Sequence, residues 1–276
     1  MTSRPFIIDT EKLSARSVIS AIDWRVGLFL MIALALTLTS AWAQSAPPGR
    51  PSALETLIVW LPFILKGFAL NLLMSFLAMA IATVLGVFLG LMQISLHAVV
   101  RLPARFVTQL TRNSPWLVIL FIVMLLLPIE FWLPGIGQVV VPDWVKATIA
   151  FSLPVMGNIS EIVRGAVLSI PTGQWDSAEG LAFTRSQTLR LVILPQCVKR
   201  AIPPWMNWYA LLTLSTPMAS LFSVHESVSN AQAAMEAAGA RPDLLFPFYL
   251  FLLCLFFVYI YPIAVLTRKL ERKYAV

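Results

Sequence analysis

Six stretches of this chain carry no charged side chain, and they limit the folds open to it. Gly67 to Val100 runs 34 residues between charges, Ala201 to His225 runs 25, and Val26 to Gly49 and Leu244 to Thr267 run 24 each. A helix rises about 1.5 Å per residue, so roughly 20 apolar residues cover the ~30 Å hydrocarbon core of a bilayer. Four runs meet that length. Asn113 to Ile129, at 17 residues, stands at the lower edge and can extend to Trp132. Ala147 to Ser160, at 14 residues, crosses only if it continues through Glu161, with Arg164 one turn on as partner. A charge at a helix centre costs about 2.5–3.5 kcal/mol on insertion scales, so Glu161 is expected near a helix end. Only 12% of the residues are charged, against about a quarter in soluble domains. The chain is therefore read as an all-α integral membrane protein with about six transmembrane helices.

Lys and Arg supply the orientation. With six spans and both ends on one side, 16 of them fall on that side and 4 on the other. Such an excess marks cytoplasmic loops. The termini, the loop holding Arg101, Arg105 and Arg112, and the stretch from Arg164 to Arg200 are thus assigned to the cytoplasm. The bias accounts for the formal net charge of +7 without a nucleic-acid partner. In order, the chain reads as a polar leader (1–25), a first span at about 26–44 and an outer linker rich in Pro and Ser. An interfacial segment, "TLIVWLPFILKG", follows, then spans two to four at about 68–95, 114–133 and 145–166. A cytoplasmic insert runs to about 200. Span five is at 202–223, an Ala-rich outer segment is expected as a short helix, and span six is at 245–267. The first run, with "SAWAQSA" at its end, also has the features of a cleavable signal peptide; the 25-residue charged leader favours its retention as a span. Cys197 and Cys254 make no disulfide framework, and two distant histidines, His97 and His225, make no zinc site.

The insert is the unusual part. "IPTGQWDSAEGLAFTRSQTLRLVILPQ" (170–196) mixes Asp176, Glu179, Arg185 and Arg190 with glycines and prolines. Pro171 and Gly173 are expected to break the helix leaving the membrane. Thr172 or Gly173 would cap a new one, with Asp176 in its first turn, where a carboxylate favours the helix dipole. Helical spacing puts Ser177, Leu181 and Arg185 on one face. A second helix, "SQTLRLVIL", is expected to end at Pro195. A short helix with small side chains suits docking into a cleft on another protein. It offers no nucleophile–base pair and no glycine-rich phosphate loop. No stretch matches G-x-x-x-x-G-K-[ST], so the chain is not expected to be an enzyme. Within the spans, Asn71, Asn158, Ser160, Asn207, Ser215 and Thr216 are candidates to line a translocation path, and equally candidates for interhelical hydrogen bonds.

On these residues the chain resembles a family. "EIVRGAVLSIPTGQWDSAEGLAFTRSQTLRLVILPQCVKRAIPPWMNW" is similar to the signature of the membrane-spanning permease subunits of ABC importers, the binding-protein-dependent inner-membrane components. The likeness is nearest to the polar amino-acid group, of histidine, glutamine, glutamate and arginine type. That family's loop reads roughly E-R-G-I-P-x-G-Q-x-E-A-A-x-x-L-G, with I-x-L-P further on. Glu161, Arg164, Gly165, Pro171, Gly173, Gln174 and the Leu194–Pro195 pair match it. "RNSPW" (112–116), Asn207 and "LERK" (270–273) extend the resemblance over about 65–274. Departures are Asp176-Ser177-Ala178 for Glu-Ala-Ala, Ala182 for the usual Gly, "TLSTPMAS" (213–220) for a lysine followed by Asp/Asn-Thr-Ser-Leu, and "MGNISE" for Ala-Tyr-x-Ala-Glu. The last two bear on the substrate.

The resemblance implies a five-helix ABC-importer permease core plus one N-terminal helix. Residues 1–60 would be leader, extra helix and outer linker; 61–276 would be the permease domain, with a coupling-helix loop at about 167–200. It implies that Gly173, Gln174, Asp176, Ser177, Ala178, Leu181 and Ala182 form a cytoplasmic coupling helix between spans four and five, docked on a separate ABC ATPase subunit. ATP would be used by that partner, with no cofactor or metal bound by this chain. Glu161 and Arg164 would form a cytoplasmic gate pair. The other implied partners are a second permease subunit, identical or different, an extracytoplasmic solute-binding protein and the lipid bilayer of a bacterial inner membrane. The solute would be a polar amino acid or derivative. Two alternatives stay open: a stand-alone secondary carrier, which should show inverted repeats and an intramembrane ion site, and an importer subunit for another small solute.

Overall fold

The computed structural model describes residues 51–128, 130–133 and 137–274, together with helical positions 27, 28, 31, 32 and 35. The leader, most of the first span and its cleavage lie outside these residues. Of the early positions, Gly27 lies against the last helix: a Cβ built there would sit 3.7 Å from the Phe257 ring.

Helix α1 spans Ala53–Gln93, 41 residues. It begins with a capping box. The Ser52 hydroxyl accepts from the Glu55 N–H at 3.3 Å, and the Glu55 carboxylate accepts from the Ser52 N–H at 2.9 Å, satisfying two otherwise unpaired donors. The segment "TLIVWLPFILKG" belongs to this helix, a correction to its placement as a separate interfacial piece. Lys66 is exposed, so its charge can reach water along the stem without ending the helix. At 1.5 Å per residue α1 is about 60 Å long, twice a bilayer core. Its buried stripe is rich in small residues. A Cβ at Gly86 would sit 2.7 Å from Ile159 Cβ, and one at Gly90 would sit 2.7 Å from the Ser160 carbonyl oxygen. This Gly-x-x-x-Gly pair lets the backbone of α4 come close.

Helix α2 (Ala98–Asn113) and helix α3 (Trp116–Leu126) meet at a bend of 106°. Pro115 causes it: a residue before proline is pushed out of the helical region, and Ser114 has φ −85°, ψ 138°. The basic loop after span two is therefore a helix. The third span is shorter than the expected 114–133. Helix α3 ends at Leu126, and Glu130–Leu133 (β1) pairs antiparallel with Gly137–Val140 (β2), Glu130 opposite Val140. Trp132 sits in this hairpin, the one departure from an all-α reading among the described residues. Eleven residues of α3 cover only about 16 Å, so α3 by itself is too short to cross a bilayer core.

Helix α4 (Asp143–Leu168) agrees with the expected fourth span, and α5 (Thr172–Gly180) leaves it at 66°. A helical turn at Arg185–Gln187 then passes through a π-helical stretch, Thr188–Ile193, into α6 (Leu194–Ser215). Pro195 does not end this run. It stands in the first turn of α6, where its missing N–H is tolerated, and the widened π turn just before it takes up the ring. A 3₁₀ run, Thr216–Phe222, leads to α7 (Ser227–Ala237), the short outer helix expected from sequence, and to α8 (Pro242–Tyr274).

Among the described residues, α1 and α8 are each long and apolar enough to cross a membrane, as are the bent pairs α2/α3 and α4/α5 if each is one span. The main core joins α1, α3, α4 and α6 around Met74, Leu120, Phe151, Val155 and Leu212. A second core, with Ile64, Leu244 and Phe248, joins α1, α7 and α8.

Candidate functional site

The insert folds as a braced corner. Pro171 stands at the start of α5 without a side-chain cap, and Asp176 lies in the second turn, not the first. The end of α5 is a Schellman motif. The Phe183 N–H bonds the Ala178 carbonyl at 3.1 Å, the Ala182 N–H bonds that of Glu179 at 2.8 Å, and Ala182 has φ +59°. That is the position where glycine is favoured. The helix therefore stops before Arg185, which does not share a face with Ser177 and Leu181. Its guanidinium instead lies 5.5 Å from the centroid of the Trp175 ring. Arg200 donates to the Ser169 carbonyl at 2.8 Å and to its hydroxyl at 2.9 Å. Ala166, Val167 and Ile170 pack with Ile193 and Cys197 beneath the corner. Burial pushes the Cys197 thiol above its ordinary value, partly opposed by the Arg200 charge.

Of the residues read as the docking helix, Gly173, Gln174, Asp176, Ser177, Leu181 and Ala182 are exposed, Leu181 at 72%. Ala178 is buried and belongs to the inner packing. Apart from its chain neighbours and its own turn of helix backbone, nothing lies within 4 Å of where a Gly173 Cβ would be.

Glu161 and Arg164 do meet. Arg164 Nε donates to Glu161 at 2.5 and 3.0 Å. A third residue joins them: Arg112 Nη1 lies 3.8 Å from Glu161, and Arg112 Nε donates to Asn158 Oδ1 at 3.1 Å. The bend at Pro115 delivers Arg112 to this place. One layer deeper, Gln93 donates to Thr108 at 3.0 Å and to Ser160 at 3.1 Å. This neutral buried knot ties α1, α2 and α4.

The candidate path residues divide. Asn71, Ser160 and Thr216 are fully buried and Asn158 nearly so. Ser215 is half-buried, and Asn207 is exposed on α6. Asn71 and Thr216 are drawn together by a residue that sequence reasoning passed over. Glu226, at 0% exposure, begins α7 and accepts from Asn71 Nδ2 (3.0 Å), the Ser227 hydroxyl (3.1 Å) and the N–H groups of Val228 (3.0 Å) and Ser229 (2.9 Å). Asn71 also donates to Thr216 at 2.9 Å and accepts from the Ser227 N–H at 3.0 Å. The signal for Glu226 was present: one acid at the end of a 25-residue uncharged run, with a lone asparagine in the apolar run of α1 to answer it.

The fold is a mainly helical bundle with helices apolar enough for a membrane and a short exposed helix, α5, braced at one corner. The family described as "Binding-protein-dependent transport system inner membrane component" matches residues 82–276. The chain belongs to this family and is an inner-membrane protein. It is 34% identical to the probable amino-acid ABC transporter permease protein YckA of Bacillus subtilis (strain 168), over 78% of this chain and 90% of the relative. It is 26% identical to the probable glutamine ABC transporter permease protein GlnP of the same organism, over 76% of this chain and 93% of the relative. Among solved structures, an amino acid ABC transporter crystallised with histidines superposes with a TM-score of 0.66. That match has 23% identity and covers 79% of this chain and 96% of the other, a likeness of fold.

Proposed function

We propose that this chain is the permease subunit of an ATP-driven ABC importer and forms part of the path for a polar amino acid or amino-acid derivative. A solute-binding protein delivers the ligand outside. A second permease subunit, identical or different, completes the path. Separate ATPase subunits bind and hydrolyse ATP, and this chain carries no cofactor of its own. Both termini face the cytoplasm. Helix α5 is the coupling helix, and its exposed residues Gly173, Gln174, Asp176, Ser177 and Leu181 seat in an ATPase groove. The observation that carries this reading is the exposed, braced α5 in a chain of this family. The open space at Gly173 supports it, since nothing in the chain's own packing calls for a glycine there. The braces from Arg200 and the Ile170–Ile193 contact would pass motion of α5 to α4 and α6. The Arg112–Glu161–Arg164 cluster lies along that route and would serve as the cytoplasmic gate. The amino-acid class rests on the names of the relatives.

The docking test replaces Gly173 or Ser177 with arginine. Each variant is expected to insert normally, to lose co-purification of the ATPase subunit and to lose uptake. Normal uptake by both would overturn the docking role. Ala178 is unsuited to this test because its burial confounds docking with folding. A labelled amino-acid panel, offered to a deletion strain with and without this chain, tests the solute class. No chain-dependent uptake across the panel, with a growth defect on another nutrient, would replace it with the importer of another small solute.

A further inference from the structure

We propose that the groove between the end of α1, helix α2 and the α4–α5 corner holds the phosphate of an anionic phospholipid. The groove measures about 730 Å³, and Arg101, Arg105, Arg164 and Arg185 line it with no carboxylate among the described residues. Arg164 is already neutralised by Glu161, and Arg185 lies over Trp175. The other two are not satisfied. Arg105 makes no hydrogen bond or ion pair among the described residues. Arg101 reaches only the Ser95 carbonyl, at 3.5 Å, and its Nε is buried without an acceptor. A buried donor of this kind calls for an acceptor, and two guanidinium groups one helical turn apart match a phosphate.

The adjoining face of α2 identifies the source of that phosphate. Val99, Leu102 and Phe106 are 86%, 60% and 68% exposed, at helical spacing on the side of α2 away from its buried Ala104 and Thr108. A helix with one bare apolar face and one basic face lies in the membrane interface. Leu91, Ile94 and Leu168 add apolar wall within the groove. A soluble anion would use the arginines and leave this wall bare; a phospholipid uses both. Basic pockets between helices on the cytoplasmic side suit anionic headgroups. The proposal shares the inner placement of α2 and α5 with the functional reading, and depends on neither the solute nor the ATPase.

The test is native mass spectrometry of the purified full chain from micelles holding equal amounts of phosphatidylglycerol and phosphatidylcholine. Micelles have no sides, so the result does not depend on topology or transport. The wild-type chain is expected to retain phosphatidylglycerol in preference. The preference should fall about fivefold for each arginine removed in R101Q/R105Q and should survive in R101K/R105K. If the double variant loses its helical circular dichroism, R105Q alone carries the test, because Arg105 has no partner whose loss could unfold the chain. Inorganic phosphate should not displace the lipid. Equal lipid preference in the wild type and R105Q would overturn the proposal, as would displacement by phosphate alone. So would a variant that keeps its lipid and instead loses its ATPase partner, which would make the groove a protein-docking surface.

Discussion

Replacing Glu226 with alanine is expected to destabilise the α7 end of the bundle by an amount the structure allows one to estimate. Four donors lose their acceptor: two first-turn N–H groups of α7, the Ser227 hydroxyl and the Asn71 amide. Loss of a helix cap costs about 1 kcal/mol. A buried donor left unsatisfied costs about 1–3 kcal/mol. Asn71 keeps its bond to Thr216, and water entering the space made by the truncation can serve the N–H groups. Removing the carboxylate also ends the cost of keeping it out of water. The sum is on the order of 3–5 kcal/mol. For a chain of this length about 2 °C accompanies each kcal/mol, giving a fall of about 6–10 °C. Loss of helical circular dichroism on heating the full chain in micelles would measure it. Because Asn71 and Glu226 share a hydrogen bond, N71A and E226A should not add. The double variant should lose at least about 0.5 kcal/mol less than the sum of the single losses. An E226A midpoint equal to wild type, or full additivity with N71A, would refute the claim that this pair locks α7 to α1.

Three further outcomes follow from the geometry. Ala182→Gly relieves a left-handed backbone and should stabilise the end of α5 by on the order of 0.5–1 kcal/mol, read as slower hydrogen exchange at the 182 and 183 amides; faster exchange would contradict the strain. Gly90→Ala should cost about 1–3 kcal/mol by overpacking against α4, whereas Gly173→Ala should leave the melting midpoint unchanged; equal midpoints for the two would remove the close-approach argument. At neutral pH the raised thiol of Cys197 should alkylate slowly and react faster as the pH rises, since only the thiolate is nucleophilic. Arg200→Gln removes the one cause that lowers this thiol and should slow the reaction further, which stopped-flow or gel-shift labelling would detect.

Much of the fold was legible along the chain because hydropathy is a local property. The long uncharged runs located α1, α6 and α8, a 14-residue run continued through Glu161 located α4, and the mixed insert marked out α5 and its exposed residues. Where the reading failed, a local residue was given the decision that packing makes. Lys66 and Pro195 were taken to bound helices that run on, and Pro115 was not taken to bend one by 106°. Whether a proline breaks, bends or sits quietly in a helix depends on what packs beside it, and that is not written in its neighbours. The polar residues show the same division. Their presence in apolar spans could be seen at once, but their use could not. Asn71 and Glu226 stand 155 positions apart, and Arg112 reaches Glu161 only because Pro115 turns the chain. Buried polar groups must find partners wherever the fold brings them, so composition said that such pairs would exist and only the packing of α1, α4 and α7 decided which they were.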